Sequence, residues 1–139
     1  MARPHVFPVS IYYEDTDFSG LVYHANYLKY CERAREHVLG RDALVALYRD
    51  HGVGFVVYRA ELQFKEGAKF GDDLEVRTTV DLQSDYRAVF EQPVWRVGGA
   101  APLVEVSIHL VAVDRHNKLT RLPRDVIELA RARAAPERE

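Results

Sequence analysis

Four consecutive segments with two-residue periodicity leave this chain few ways to fold. Along 55–65, Val56, Tyr58, Ala60, Leu62 and Phe64 alternate with Arg59, Glu61, Gln63 and Lys65. Along 73–83, Leu74, Val76, Thr78, Val80 and Leu82 alternate with Glu75, Arg77, Thr79, Asp81 and Gln83. Along 103–113, Val104, Val106, Ile108, Leu110 and Ala112 form one face, while 86–97, with Phe90, Val94, Trp95 and Val97, alternates less cleanly. Side chains on a strand point to opposite faces in turn, so each segment predicts a strand with one buried face. Gly71-Asp72, Ser84-Asp85 and Gly98-Gly99 supply the turns between them. Strands joined by such short turns pair antiparallel.

The rest of the chain must cover that sheet. Residues 6–15 also alternate, with Phe7, Val9, Ile11 and Tyr13 on one face. Pro8 cannot donate to a ladder, so it marks an edge or the start of pairing. From Asn26 the period changes: Tyr27, Tyr30, Cys31, Ala34, Val38 and Leu39 recur at helical spacing, between a possible N-cap at Asn26 and a stop at Gly40. A shorter helix is expected over 41–50, before Gly52 and Gly54, and a last one over 123–134 with Pro123 in its first turn. The polar end, 134–139, is expected to fray. One strand, a helix pair, four long strands and a helix make an α+β domain with helix packed on one sheet face. The 139 residues show no internal repeat and no interdomain linker, so a single domain over 1–139 is expected.

One junction concentrates chemistry. Between the first strand and the first helix run Tyr13, Glu14, Asp15, Thr16, Asp17, Phe18, Ser19, Gly20, Leu21, Val22, Tyr23, His24, Ala25, Asn26 and Tyr27. Asp17 beside a glycine turn is, by residue type, first of all a turn or Asx cap. The density of acids, tyrosines and a histidine argues for an active site holding Asp17 and His24. Phe18-Ser19-Gly20 reads as the turn itself, with Gly20 free to take positive φ.

Composition removes other classes. A formal charge of −2, with no basic cluster interleaved with aromatics, gives no case for nucleic acid. Cys31 is the single cysteine, so neither an intrachain disulfide nor a cysteine-based metal cluster can form. It lies on the apolar helix face, as a core residue would. His5, His37, His51, His109 and His116 show no metal-ligand spacing. No apolar run reaches the length of a membrane span, and the N-terminus lacks a signal-like apolar stretch. A cytoplasmic protein is expected.

The segment from Tyr13 through Asp15-Thr16-Asp17, Gly20 and Val22-Tyr23-His24-Ala25-Asn26-Tyr27, followed by Glu32-Arg33-Ala34-Arg35, closely resembles the signature of hot-dog-fold acyl-CoA thioesterases. The nearest branch is that of hydroxybenzoyl-CoA and Tol-Pal-associated acyl-CoA thioesterases. The resemblance implies a curved antiparallel sheet wrapped around a long central helix. It implies active sites between subunits, hence a homo-oligomer that is a dimer at minimum, with a homotetramer expected. It makes Asp17 the catalytic carboxylate, His24 a site residue at the helix entrance, and Tyr13 a site tyrosine, while Asp15 is not the catalytic acid. Glu32, on the central helix, reads as a solvated or Arg-paired carboxylate. Arg87, Lys118 and Arg121 resemble in location the basic groups that hold coenzyme A phosphates in relatives.

The implied activity is hydrolysis of an acyl-CoA thioester to free acid and coenzyme A, with neither metal nor cofactor. Asp17 would act as nucleophile or as general base, and the helix start near His24 would polarise the carbonyl. A non-catalytic acyl-thioester or acyl-carrier-binding module is the alternative on the same fold; a dehydratase or hydratase is disfavoured by the thioesterase-type signature. The acyl group is left open.

Overall fold

The computed structural model describes residues 4–134; the first three residues and, of the end expected to fray at 134–139, all but Ala134 lie outside them. In chain order the elements are β1 (His5–Ser10), a 3-10 turn (Tyr13–Asp15), α1 (Asn26–Leu39), α2 (Arg41–His51), β2 (Gly54–Phe64), β3 (Asp73–Leu82), β4 (Ala88–Glu91), β5 (Val94–Arg96), β6 (Val104–Val113), β7 (Leu119–Thr120) and α3 (Arg124–Arg133). Every pairing is antiparallel. The sheet runs β1-β3-β4-β6-β2, with β5 bridging β3 and β6 and β7 lying on β6. This is the α+β arrangement that the alternating segments dictate.

The inner faces of β3 and β6 read as expected: Leu74, Val76, Thr78, Val104, Val106, Ile108, Leu110 and Ala112 are all buried. Against them lies the buried stripe of α1, Tyr27, Tyr30, Cys31, Ala34 and Val38. Removing these apolar side chains from water is the main force holding helix to sheet. Gly40, at φ +95°, ends α1 with its N–H on Glu36 O, and α2 begins at the next residue. Arg133 of α3 donates from Nη1 to the carbonyl of Val38 at 2.5 Å, tying the last helix to the end of the first. Among the described residues no helix is long and apolar enough to cross a membrane.

Where the observed elements depart from the sequence expectation, local hydrogen bonding explains it. The first strand ends at Ser10 rather than 15, because Asp15 closes a tight turn. Its carboxylate accepts the Tyr12 N–H at 2.8 Å and its own N–H donates to Tyr12 O at 2.9 Å. A short polar side chain has offered the backbone an alternative to the ladder. The run 86–97 is two strands, interrupted at Gln92-Pro93. Pro93 has no N–H to give, yet β4 and β5 keep one register on β3 on either side of it. In β2 the register shifts between Val57 and Arg59, so the simple alternation expected through Tyr58 breaks there. Pro123 precedes α3 as its N-cap residue instead of sitting inside it. The two-residue β7 is too short to leave a periodic signal.

β1 and β2 are the two edges of the sheet. Pro8 sits on the first, as its missing donor requires. The second is 11 residues long and exposes Val56, Val57 and Tyr58.

Candidate functional site

The junction folds as a turn laid against a helix start. Asp17 N–H donates to Leu21 O at 2.9 Å and Gly20 N–H to Asp17 O at 3.0 Å, with Gly20 at φ +84°. An L side chain would strain that conformation. Val22 N–H then donates to Ala68 O at 2.8 Å, docking the turn on the segment after β2. The carbonyl of Asp15 accepts both the Tyr23 N–H and the Asn26 side-chain amide, each at 2.9 Å. Asn26 is thus the first residue of α1, holding the chain before it, and not the N-cap expected; Ala25 occupies that position without a side-chain bond.

This folding puts Asp17 and His24 on the wall of one cleft of about 300 Å³, with Leu21, Val22, Tyr27 and Phe64 as its apolar lining. Gly67 closes the floor: a Cβ there would stand 2.7 Å from Leu21 Cδ1. Tyr27 fixes the same segment by accepting the Ala68 N–H on its hydroxyl at 3.1 Å. The His24 ring lies 4.6 Å from Tyr23 and edge-on to Phe64 at 6.2 Å, centroid to centroid.

Asp17 is exposed, and among the described residues only one of its carboxylate oxygens is engaged. Oδ1 accepts the Ser19 hydroxyl at 2.5 Å and the Ser19 N–H at 2.8 Å. The Ser19 hydroxyl, then its amide, hold the carboxyl below the usual aspartate range, with a smaller contribution from His24. Among the described residues the amides of His24 and Ala25 have no acceptor, as expected at a helix start, where the dipole is positive. An anionic carboxylate and an imidazole therefore border the same cleft, and one of the two unpaired amides belongs to His24 on its wall. That set can activate or deliver a nucleophile to a carbonyl and receive charge on its oxygen.

The other candidate residues fall elsewhere. Tyr13 belongs to the 3-10 turn, is 80% exposed, and packs edge-on to Phe70 at 6.0 Å, outside the residues lining the cleft. Asp15 has its carboxylate on the Tyr12 amide. Glu32 is exposed and lies 3.5 Å from Arg35, as a paired surface acid. Arg121 pairs with Asp85 at 3.1 Å, over the Tyr86 ring, and lines a second cavity of about 200 Å³ with Arg124 above Leu82, Leu122 and Ile127. Arg87 precedes Ala88, whose partner on β6 is Leu110, and Lys118 precedes β7, which pairs with Ala112 and Val113. Phe64, at the cleft, pairs with Val104 at the other end of β6. Within one chain these cations stand roughly 20–30 Å along the strand from the Phe64 end, where the cleft lies.

Cys31 is fully buried, donates to Gln92 O at 3.6 Å, and burial pushes its thiol up to about 12. The native protein should resist iodoacetamide at mildly alkaline pH and react only when unfolded. Stoichiometric alkylation of the folded protein within minutes would contradict that.

Ser19, Phe64 and Gly67 are among the cleft residues that the sequence reading did not assign to the site. The spacing of Ser19, two after an aspartate, is the mark of an Asx turn and could have flagged it. Phe64 and Gly67 come from a segment far away in sequence and carry no local signal.

A family model described as the thioesterase-like superfamily matches residues 12–130. The chain is 33% identical over 126 residues to the acyl-CoA thioester hydrolase YbgC of Escherichia coli, covering 86% of this chain and 90% of that one. With the acyl-CoA thioesterase YbgC of Helicobacter pylori it shares 41% identity over 83 residues, 59% of this chain. That second match spans 61% of the relative's length. Among solved structures, a probable thioesterase from Bartonella henselae superposes with a TM-score of 0.77 at 32% identity, covering 86% of this chain and 99% of that one. A 1,4-dihydroxy-2-naphthoyl-CoA thioesterase from Synechocystis has a TM-score of 0.82 over 92% of this chain and 95% of its own, and at 24% identity it speaks for the fold alone.

Proposed function

The chain belongs to the thioesterase-like superfamily and has its hot-dog fold, and from that premise we propose that it hydrolyses an acyl-CoA thioester to free acid and coenzyme A. One observation carries the reading: Asp17 and His24, whose backbone amide is unpaired among the described residues, line one cleft at the start of α1. The relatives named as acyl-CoA thioesterases support the substrate class.

Two routes use these groups. In one, an Asp17 oxygen attacks the thioester carbon, the C–S bond breaks, and the thiolate leaves as the thiol after protonation; water then hydrolyses the mixed anhydride. In the other, Asp17 takes a proton from water, the resulting hydroxide attacks, and the departing thiolate is protonated. Both put negative charge on the carbonyl oxygen, where a free amide near His24 is positioned to donate. One such donor is worth about 3–4 kcal/mol. His24 orients the carbonyl or the carboxylate. Tyr13, although outside the lining of the cleft in one chain, is retained as a further site residue in this reading.

The sheet edge supports an oligomer. Among the described residues β2 leaves its outer edge unpaired and exposes Val56, Val57 and Tyr58, a liability that a second copy would remove. Antiparallel pairing of two β2 strands sets the Gly54 end of one beside the Phe64 end of the other. That carries the second copy's Arg87, Lys118 and Arg121 toward the first copy's cleft, where they would hold the coenzyme A phosphates. We take the dimer as the smallest competent unit, with a tetramer expected, in the cytoplasm.

One observation favours the second reading, a non-catalytic acyl-thioester or acyl-carrier-binding module: Asp17 is tied into its own turn, as a purely structural aspartate would be. Thiol release measured across short aliphatic, long aliphatic and aromatic acyl-CoAs decides between them. Turnover of at least one class is expected, and its acyl group names the substrate. Saturable binding throughout without free thiol would establish the binding module instead.

A further inference from the structure

Resting on the thioesterase reading, we propose that Ser19 decides which oxygen of Asp17 reacts. The Ser19 hydroxyl and amide both donate to Oδ1, at 2.5 and 2.8 Å, and among the described residues no hydrogen bond reaches Oδ2. The hydroxyl cannot turn freely. Its oxygen accepts the Leu21 N–H at 3.3 Å, which leaves its proton directed at Oδ1. The relay from Leu21 amide to Ser19 hydroxyl to Asp17 thus ends on a single oxygen, and each bond polarises the next. Oδ1 is the anchored atom and Oδ2 the one that meets the thioester carbon or the attacking water. Ser19 touches neither substrate nor reacting atom in this account, and it is a positioning residue.

An exposed carboxylate rotates easily in water, and each wrong rotamer removes the reacting oxygen from line. Anchoring costs something too. Bonds to the anion stabilise it, which keeps Asp17 ionised to lower pH and makes the free oxygen a weaker base. The other charged groups around the cleft leave this role to Ser19. His24 faces Asp17 from the helix start, adding to the same effect. From the segment after β2, Lys65 is paired with Glu105 at 3.5 Å and Glu66 with Arg96 at 3.6 Å. Asp15, on the same limb as Asp17, has its carboxylate turned to the Tyr12 amide.

The test compares Ser19→Ala and Ser19→Gly, which lack the hydroxyl, with Ser19→Thr, which restores it, and with Asp17→Asn. The substrate is the acyl-CoA turned over best by the wild type. The hydroxyl-free pair should lose roughly threefold to tenfold in kcat with KM unchanged. The acid limb of their kcat/KM profile should move to higher pH, because the carboxylate has lost a donor that held its proton affinity down. Ser19→Thr should return both values to those of the wild type. A wild-type kcat together with an unmoved acid limb in the hydroxyl-free variants would overturn the proposal. So would a loss as complete as that of Asp17→Asn, since Ser19 would then be a reacting group itself. If Asp17→Asn turned over as fast as the wild type, the thioesterase reading through Asp17 would fall first, whatever Ser19 did.

Discussion

Replacing Arg35 with alanine is expected to lower the stability of the folded protein by about 3 kcal/mol, mostly from one stranded acceptor. Arg35 is 6% exposed on the inner face of α1 and donates from Nη1 to Gln92 Oε1 at 2.8 Å. Gln92 has no exposure at all, and its amide donates to Cys31 O at 2.9 Å and Thr78 Oγ1 at 3.1 Å. Helix, β3 and the Gln92-Pro93 interruption are joined through that one side chain. Without Arg35, Oε1 is left unsatisfied in the core and the arginine stem leaves a void. Glu32→Ala, which removes only the exposed partner at 3.5 Å, should cost under about 0.5 kcal/mol. The triple change Arg35→Met, Gln92→Leu and Thr78→Val should recover most of the loss, because Gln92 and both of its side-chain partners lose their polar groups together. Denaturant midpoints of the three variants measure this. An Arg35→Ala protein as stable as the wild type would mean the pair does not join helix to sheet.

The second large effect is kinetic. Asp17→Asn is expected to fold normally and to lose roughly 10²–10⁴-fold in kcat. The substitution separates two roles of the same residue. An asparagine side-chain oxygen can accept the Ser19 amide and hydroxyl in the same geometry, though less strongly than a carboxylate, so the turn and the docking of Val22 on Ala68 survive. The amide cannot take a proton from water or form an anhydride. A purely structural Asp17 therefore predicts no change in rate, and a catalytic one predicts near-complete loss at unchanged thermal stability. The acid side of the wild-type profile should also extend to low pH. Ser19 holds Asp17 below the usual aspartate range, and activity lost on protonation disappears only when pH falls through that lowered value.

How much of this was legible in the residues depends on the range over which each signal acts. β3 and β6 announced themselves because burial on one face of a strand repeats every second residue, and nothing in Leu74–Leu82 or Val104–Val113 interrupts it. The stripe of α1 was as plain, from Tyr27 to Val38. Asp17 and His24 were visible as a motif, and the turn between them was marked by Gly20. What stayed hidden is what is decided by a partner distant in sequence. The Asn26 side chain looked like a cap, and it reaches back to the carbonyl of Asp15 instead. Tyr13 fitted the alternation of a buried strand face, yet the Asp15 carboxylate ends the strand before it. Phe64 could not be placed at the cleft without knowing that β2 ends beside the Asp17 turn. Gln92 falls in the least regular segment, and its central place becomes apparent only when Arg35 is seen opposite it.

The account rests on a carboxylate that does chemistry on a thioester, and one experiment addresses that directly. Wild-type and Asp17→Asn proteins, shown to unfold at the same temperature, are each given a large excess of the best acyl-CoA, and free thiol is followed to many equivalents per protein. The account predicts continuous release by the wild type and release at least a hundredfold slower by Asp17→Asn. Equal rates from the two proteins would contradict it.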